Sequence, residues 1–122
     1  MDNIDLAWKT YEFHTQKVHE IESKYQSMLD LYYRFVGNNL NPSQIKKNYI
    51  RTKINKFLST MISAYNKQIN SIDDLIIAYD KELDAEFQKD VDTELLNHLK
   101  NTTATLIEEI KVLRNEINQV LG

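Results

Sequence analysis

The chain has 122 residues, with 15 Lys and Arg against 18 Asp and Glu, 42% apolar residues, two Gly, one Pro and no Cys. One domain of this length buries a modest core but cannot form a two-lobed enzyme with a cleft between lobes. So few Gly and Pro exclude a sandwich or barrel of short strands, and the missing cysteines exclude a disulfide scaffold, a thiolate zinc site and a thiol nucleophile.

The N-terminus reads Met1-Asp2-Asn3-Ile4-Asp5, acidic and unlike a cleavable signal. Asp2 is placed to cap a first helix, whose apolar positions recur as Ile4, Trp8, Tyr11, Thr15, Val18, Ile21, Tyr25, Met28, Tyr32 and Phe35. Steps of three and four make this the seam of an amphipathic helix over about residues 3–36, with a phase slip near Val18. Gly37, free to take the left-handed backbone that closes a helix, is expected to end it, followed by turn chemistry at 38–41. Asn41 then serves as the expected cap of the next helix, with Pro42 at its first position and Gln44 reaching back.

From Ser43 to the last residue, Gly122, no Gly or Pro intervenes. The second seam reads Ile54, Leu58, Met61, Tyr65, Ile69, Ile72, Ile76, Tyr79, Leu83 and Phe87, which predicts a long helix over about 43–89, with Ser71-Ile72-Asp73-Asp74 as a candidate break. Asp90, Asp92, Thr93 and Glu94 look like a helix start, because caps and acids suit the positive end of the helix dipole. The third helix, about 93–121, follows a heptad of Leu99, Thr103, Leu106, Ile110, Leu113, Ile117 and Val120. The expected fold is therefore all-α, a single domain in which an elongated antiparallel hairpin extends to a three-helix bundle, or to four helices if the Ser71 break is real. The longest apolar run, Leu75 to Tyr79, spans five residues, too short for a membrane span. A cytoplasmic location is expected.

Charge is segregated along the second helix. Between Asp30 and Asp73 no acid occurs, while Arg34, Lys46, Lys47, Arg51, Lys53, Lys56 and Lys67 give a local balance of plus seven. From Asp73 to Glu94, nine acids stand against Lys81 and Lys89, a balance of minus seven. Both blocks oppose the dipole of one continuous helix, so local stability does not explain them, and contact with a partner is the expected reason. Lys46, Lys47, Arg51, Lys53, Lys56 and Lys67 are the candidate basic contact. Asp80, Glu82, Asp84, Glu86 and Asp90 are the candidate acidic one. Two antiparallel copies of this helix would set each block opposite its complement.

Chemical motifs are missing. No Glu-x-x-His precedes His14, His19 or His98, and Ala85 and Val91 occupy the Gly and Glu positions of a would-be calcium loop starting at Asp80. With two glycines there is no phosphate cradle and no nucleophile elbow. Neither an enzyme nor a bound cofactor or metal is expected. A non-catalytic protein–protein interaction module is the leading expectation. The run Ile45 to Phe57, with cations among aromatics and amides, makes a small nucleic-acid-binding subunit the alternative, and a toxin immunity or inhibitor protein acting through Glu82, Glu86 and Asp90 is a third.

Phe35-Val36-Gly37, at the tip between the first two predicted helices, resembles the Trp-x-Gly turn of the small helical-hairpin substrates of bacterial type VII secretion and of the helical partners that escort larger toxins of that system. The resemblance covers roughly residues 3–90. It implies a helical hairpin, with Phe35 and Gly37 at its tip, that pairs side by side with a homologous hairpin and is exported without a cleaved signal. Phe stands here for Trp. The C-terminal Tyr-x-x-x-Asp/Glu of the family is missing, since Leu83 follows Tyr79 by four and Val91 follows Phe87 by four.

Overall fold

The computed structural model describes residues 3–38, 42–82 and 91–122. Four helices follow one another: α1 (Asn3–Glu22), α2 (Tyr25–Asn38), α3 (Gln44–Glu82) and α4 (Val91–Leu121). No strand occurs among the described residues. At 1.5 Å per residue the 39 residues of α3 extend about 58 Å, enough for α1 and α2 to share one flank while α4 lines another. The expected caps Asp2 and Asn41 and the expected seam residues Leu83 and Phe87 lie outside the described residues.

The bundle runs up, down and up. Antiparallel pairing of α1 with α3 is fixed at three levels: Trp8 Nε1–H donates to the Tyr79 hydroxyl at 2.9 Å, Gln68 Nε2 to Thr15 Oγ1 at 3.2 Å, and the Tyr65 hydroxyl to Glu22 Oε2 at 2.9 Å. Antiparallel α4 is joined to α3 by the reciprocal amide pair of Asn55 and Asn118, at 2.9 and 3.2 Å, and by Lys100 Nζ on Asp73 Oδ1 at 2.7 Å. Paired amides satisfy each other only in one alignment, so they pin the register as well as the contact. Between these ties lie two apolar clusters. The larger gathers Val18, Tyr32, Ile54, Leu58, Met61, Ile110 and Ile117; the smaller is Ile72, Leu75 and Leu96 under Trp8 and Tyr11.

Several local expectations are corrected. The first helix is not continuous over 3–36: Ser23 and Lys24 form a turn between α1 and α2. There the Lys24 N–H reaches back only three residues, to the Ile21 carbonyl at 3.0 Å, and Ser23 Oγ donates to the Glu20 carbonyl at 2.6 Å. A hydroxyl competing for a helix carbonyl tightens or bends the helix, and no Gly or Pro is needed. Gly37 is not left-handed, since the described residues include no glycine with positive φ; α2 continues through it to Asn38. The cap of α3 is Ser43, whose Oγ accepts the Lys46 N–H at 3.2 Å while its carbonyl accepts the Lys47 N–H at 3.0 Å. Gln44 reaches forward to Asn48 at 3.1 Å instead of back. Helix α3 passes through Ser71 without a break; the Ser71 side chain is buried and its hydroxyl donates to the Gln68 carbonyl at 2.7 Å. At the end of α4 the heptad fails. Leu121 is buried at 2% exposure and Val120 stands out at 56%, since a step of four from Ile117 keeps the core face where a step of three leaves it.

Candidate functional site

Five of the expected cations, Lys46, Lys47, Arg51, Lys53 and Lys56, lie in the first turns of α3, at the end of the bundle where α2 hands over to it, while Lys67 lies midway along α3 beside α1. Core positions Ile50, Ile54, Leu58 and Met61 define the inner face of α3. Lys46 and Lys53, seven apart, fall on the flank toward α2; Lys56 and Lys67 turn outward; Lys47 and Arg51, four apart, fall on the flank toward α4. The six basic residues therefore straddle the core seam and do not form a single stripe. None of them makes an ion pair among the described residues, unlike Lys17 with Glu20, His19 with Glu22, Lys100 with Asp73 and Lys111 with Glu108. Arg51 is hydrogen-bonded to Asn48, and Lys53 Nζ lies 5.9 Å from the Tyr49 ring centroid.

Among these cations sits an apolar surface. Ile45 is 82% exposed and Tyr49 63%, one turn apart on the outer face of α3. With Phe35, Lys46 and Ile50 they line a hollow of about 360 Å³ walled almost entirely by carbon. Phe35 also forms a wall of a second hollow with Val36, Pro42, Lys47 and Val120. A third opens beside it between Arg34, Leu31 and Lys53. Tyr32 closes the floor of this end, its ring 5.3 Å from that of Tyr33; burial first, then Tyr33 and Glu116, raises its phenol above the ordinary value. The surface that results is greasy, rimmed by positive charge, and built from the ends of three helices.

On the acidic side, Asp80 is exposed in the last turn of α3. The side chain of Glu82 and all of Asp84, Glu86 and Asp90 lie outside the described residues. Asp73 is already held by Lys100. At the expected hairpin tip, Phe35 belongs to both main hollows, and the position a Gly37 side chain would take is open, with nothing within 4 Å. Sequence reasoning set Ile45 and Tyr49 inside the run from Ile45 to Phe57, Val36 in the tip motif and Val120 on the α4 seam, and gave none of them a part in an exposed apolar surface. The available signal was that Ile45 is an isoleucine out of phase with the Ile54–Leu58–Met61 seam, set directly beside two lysines.

Among the described residues no His, Cys, Asp or Glu side chains gather in a group able to hold a metal, and no helix is long and apolar enough to cross a membrane. No protein-family model, curated protein or solved structure matches the chain. The all-α bundle and its surface chemistry carry the functional reading.

Proposed function

We propose that this chain is a non-catalytic helical interaction protein that grips an acidic protein partner with the apolar, cation-rimmed end formed by α2, the start of α3 and the end of α4. The observation that carries this reading is the exposure of Ile45 and Tyr49 over a carbon-lined hollow, flanked by lysines without ion pairs. A monomer gains nothing by holding such a surface in water, whereas a partner covering it buries apolar area inside a polar rim. Unpaired Lys46, Lys47 and Lys53 favour an acidic counterpart and speed its encounter. In its sharpest form the partner is the helical region of a larger secreted protein, and the chain is a type VII secretion substrate or escort. Phe35 at the α2–α3 tip supports that form.

The same unpaired cations support nucleic acid as the second reading. Lys47 and Arg51 on the opposite flank from Lys46 and Lys53 favour the protein reading, because a phosphate backbone is tracked by one continuous row. Affinity capture on the full chain, compared with Ile45→Glu, tests the choice. A discrete protein that copurifies with the native chain and is lost with Ile45→Glu supports the proposal. Recovery of nucleic acid, lost steeply with salt and on neutralising Lys46, Lys47, Arg51 and Lys53, would replace it with the second reading.

A further inference from the structure

The start of α3 is charged against its own stability. Ser43 caps the helix, which puts Lys46 three residues into it and Lys47 one further, where the exposed N–H groups and the helix dipole favour acids. A Glu at the Lys46 position would also reach back to the Ser43 N–H and complete a capping box. The first turn of α3 instead holds no acid, and neither lysine makes an ion pair among the described residues. A sequence that departs from local preference at one place, with no compensation inside the fold, points to a contact outside it.

The two lysines stand at different hollows. Lys46 lines the hollow of about 360 Å³ beside Ile45 and Tyr49, and Lys47 lines the second, of about 190 Å³, beside Val36 and Val120. Phe35 is a wall of both. A cavity of about 150 Å³ takes a benzene ring, so each hollow has room for one large apolar side chain. Among the described residues no acid lines either of them. An apolar group entering either hollow therefore arrives beside a lysine with no carboxylate of its own, and an acid next to that group in the partner is drawn to it. Resting on the reading of this end as a protein-docking surface, we propose that it recognises a segment with two apolar side chains, each accompanied by a carboxylate, one pair for the Lys46 hollow and one for the Lys47 hollow. Burial of the apolar groups supplies the affinity, and the two charges select the partner.

Random peptides displayed on phage and selected on the full chain test the pattern. Enriched peptides are expected to share two apolar positions, each with Asp or Glu beside it. Made synthetically, they are expected to bind Lys46→Glu and Lys47→Glu about tenfold or more weakly than the native chain. They should also lose binding to Ile45→Glu. Changing the matching acid of the peptide to Lys is expected to restore its binding to Lys46→Glu. Because Lys46→Glu completes the capping box, that variant is expected to unfold in urea no earlier than the native chain, so lost binding is not lost fold. Peptides that need Ile45 but carry no acids, bind both charge-reversed variants as well as the native chain, or show no recovery on charge exchange would overturn the pattern and leave the docking surface standing. A selection that yields no peptide dependent on Ile45 would overturn both.

Discussion

Replacing Tyr65 by Phe removes one hydroxyl from the end of the α1–α3 contact, where α1 finishes at Glu22. The side chain is 3% exposed and its hydroxyl donates to Glu22 Oε2 at 2.9 Å. A hydrogen bond to a charged acceptor contributes about 1.5–3 kcal/mol. The Glu22 side chain is 39% exposed, so water re-bonds it in the variant, and the expected loss at neutral pH falls below that range, at about 1 kcal/mol. At high pH the comparison changes. Burial, then the hydrogen bond and charge of Glu22, hold the Tyr65 phenol well above its ordinary 10.0. The unfolded chain ionises this group near pH 10 and the folded chain does not, so its contribution is complete below that pH and is lost above it, by up to about 1.4 kcal/mol per pH unit. Phe has no proton to lose. Urea unfolding followed by circular dichroism from about pH 7 to 11 is expected to show the variant less stable at pH 7, with the gap closing above about pH 10. A residual alkaline slope remains in both proteins from Tyr25 and Tyr32, whose phenols burial also raises. A gap that stays constant across the range would refute the assignment of that slope to Tyr65.

Gly37→Ala is expected to stabilise the fold by about 0.4–1 kcal/mol, since the glycine is helical with open space at its Cβ position; a left-handed glycine would give the opposite sign in the same urea experiment. Leu75→Ala, at a fully buried site, should cost about 2–5 kcal/mol, whereas Lys100→Ala, which breaks a half-exposed ion pair, should cost at most about 1 kcal/mol. Asn55→Ala leaves Asn118 without its reciprocal partner and is expected to lower stability by about 1–2 kcal/mol. Asn55→Ala with Asn118→Ala should lose less than twice that amount, because the pair acts as a unit.

The seams were legible because helix burial follows period alone. Every described position of the first two predicted seams is buried or half-buried, from Ile4 to Phe35 and from Ile54 to Tyr79. Ile50, Leu75 and Ala78 were missed, because α3 is touched by helices on two sides and needs a wider apolar arc than one seam provides. Leu96, Ile107 and Leu121 on α4 are buried and were missed too. The turn at Ser23–Lys24 and the Ser43 cap depend on single hydroxyl hydrogen bonds, which a periodicity search does not register. The charge segregation drew attention to the cationic part of α3, whose lysines and arginine form no ion pair among the described residues. What it could not indicate is that Ile45 and Tyr49 lie among those cations on the outer face, since that depends on the helix phase set by contacts with α1 and α4.

The end bearing Ile45 and Tyr49 is the surface proposed to hold a protein partner. Burying Ile45 is worth about 1.5–3 kcal/mol to a complex, and most of that side chain is still in water here, so Ile45→Glu is expected to weaken binding by about tenfold or more while changing folding stability by no more than about 0.5 kcal/mol. The most direct measurement is photo-crosslinking in the native host from a reactive amino acid placed at Tyr49, with the same group at exposed Thr105 on α4 as control. One protein adduct of defined mass from position 49, and none from position 105, is the expected result. No protein adduct from position 49, or adducts indistinguishable between the two positions, would contradict it.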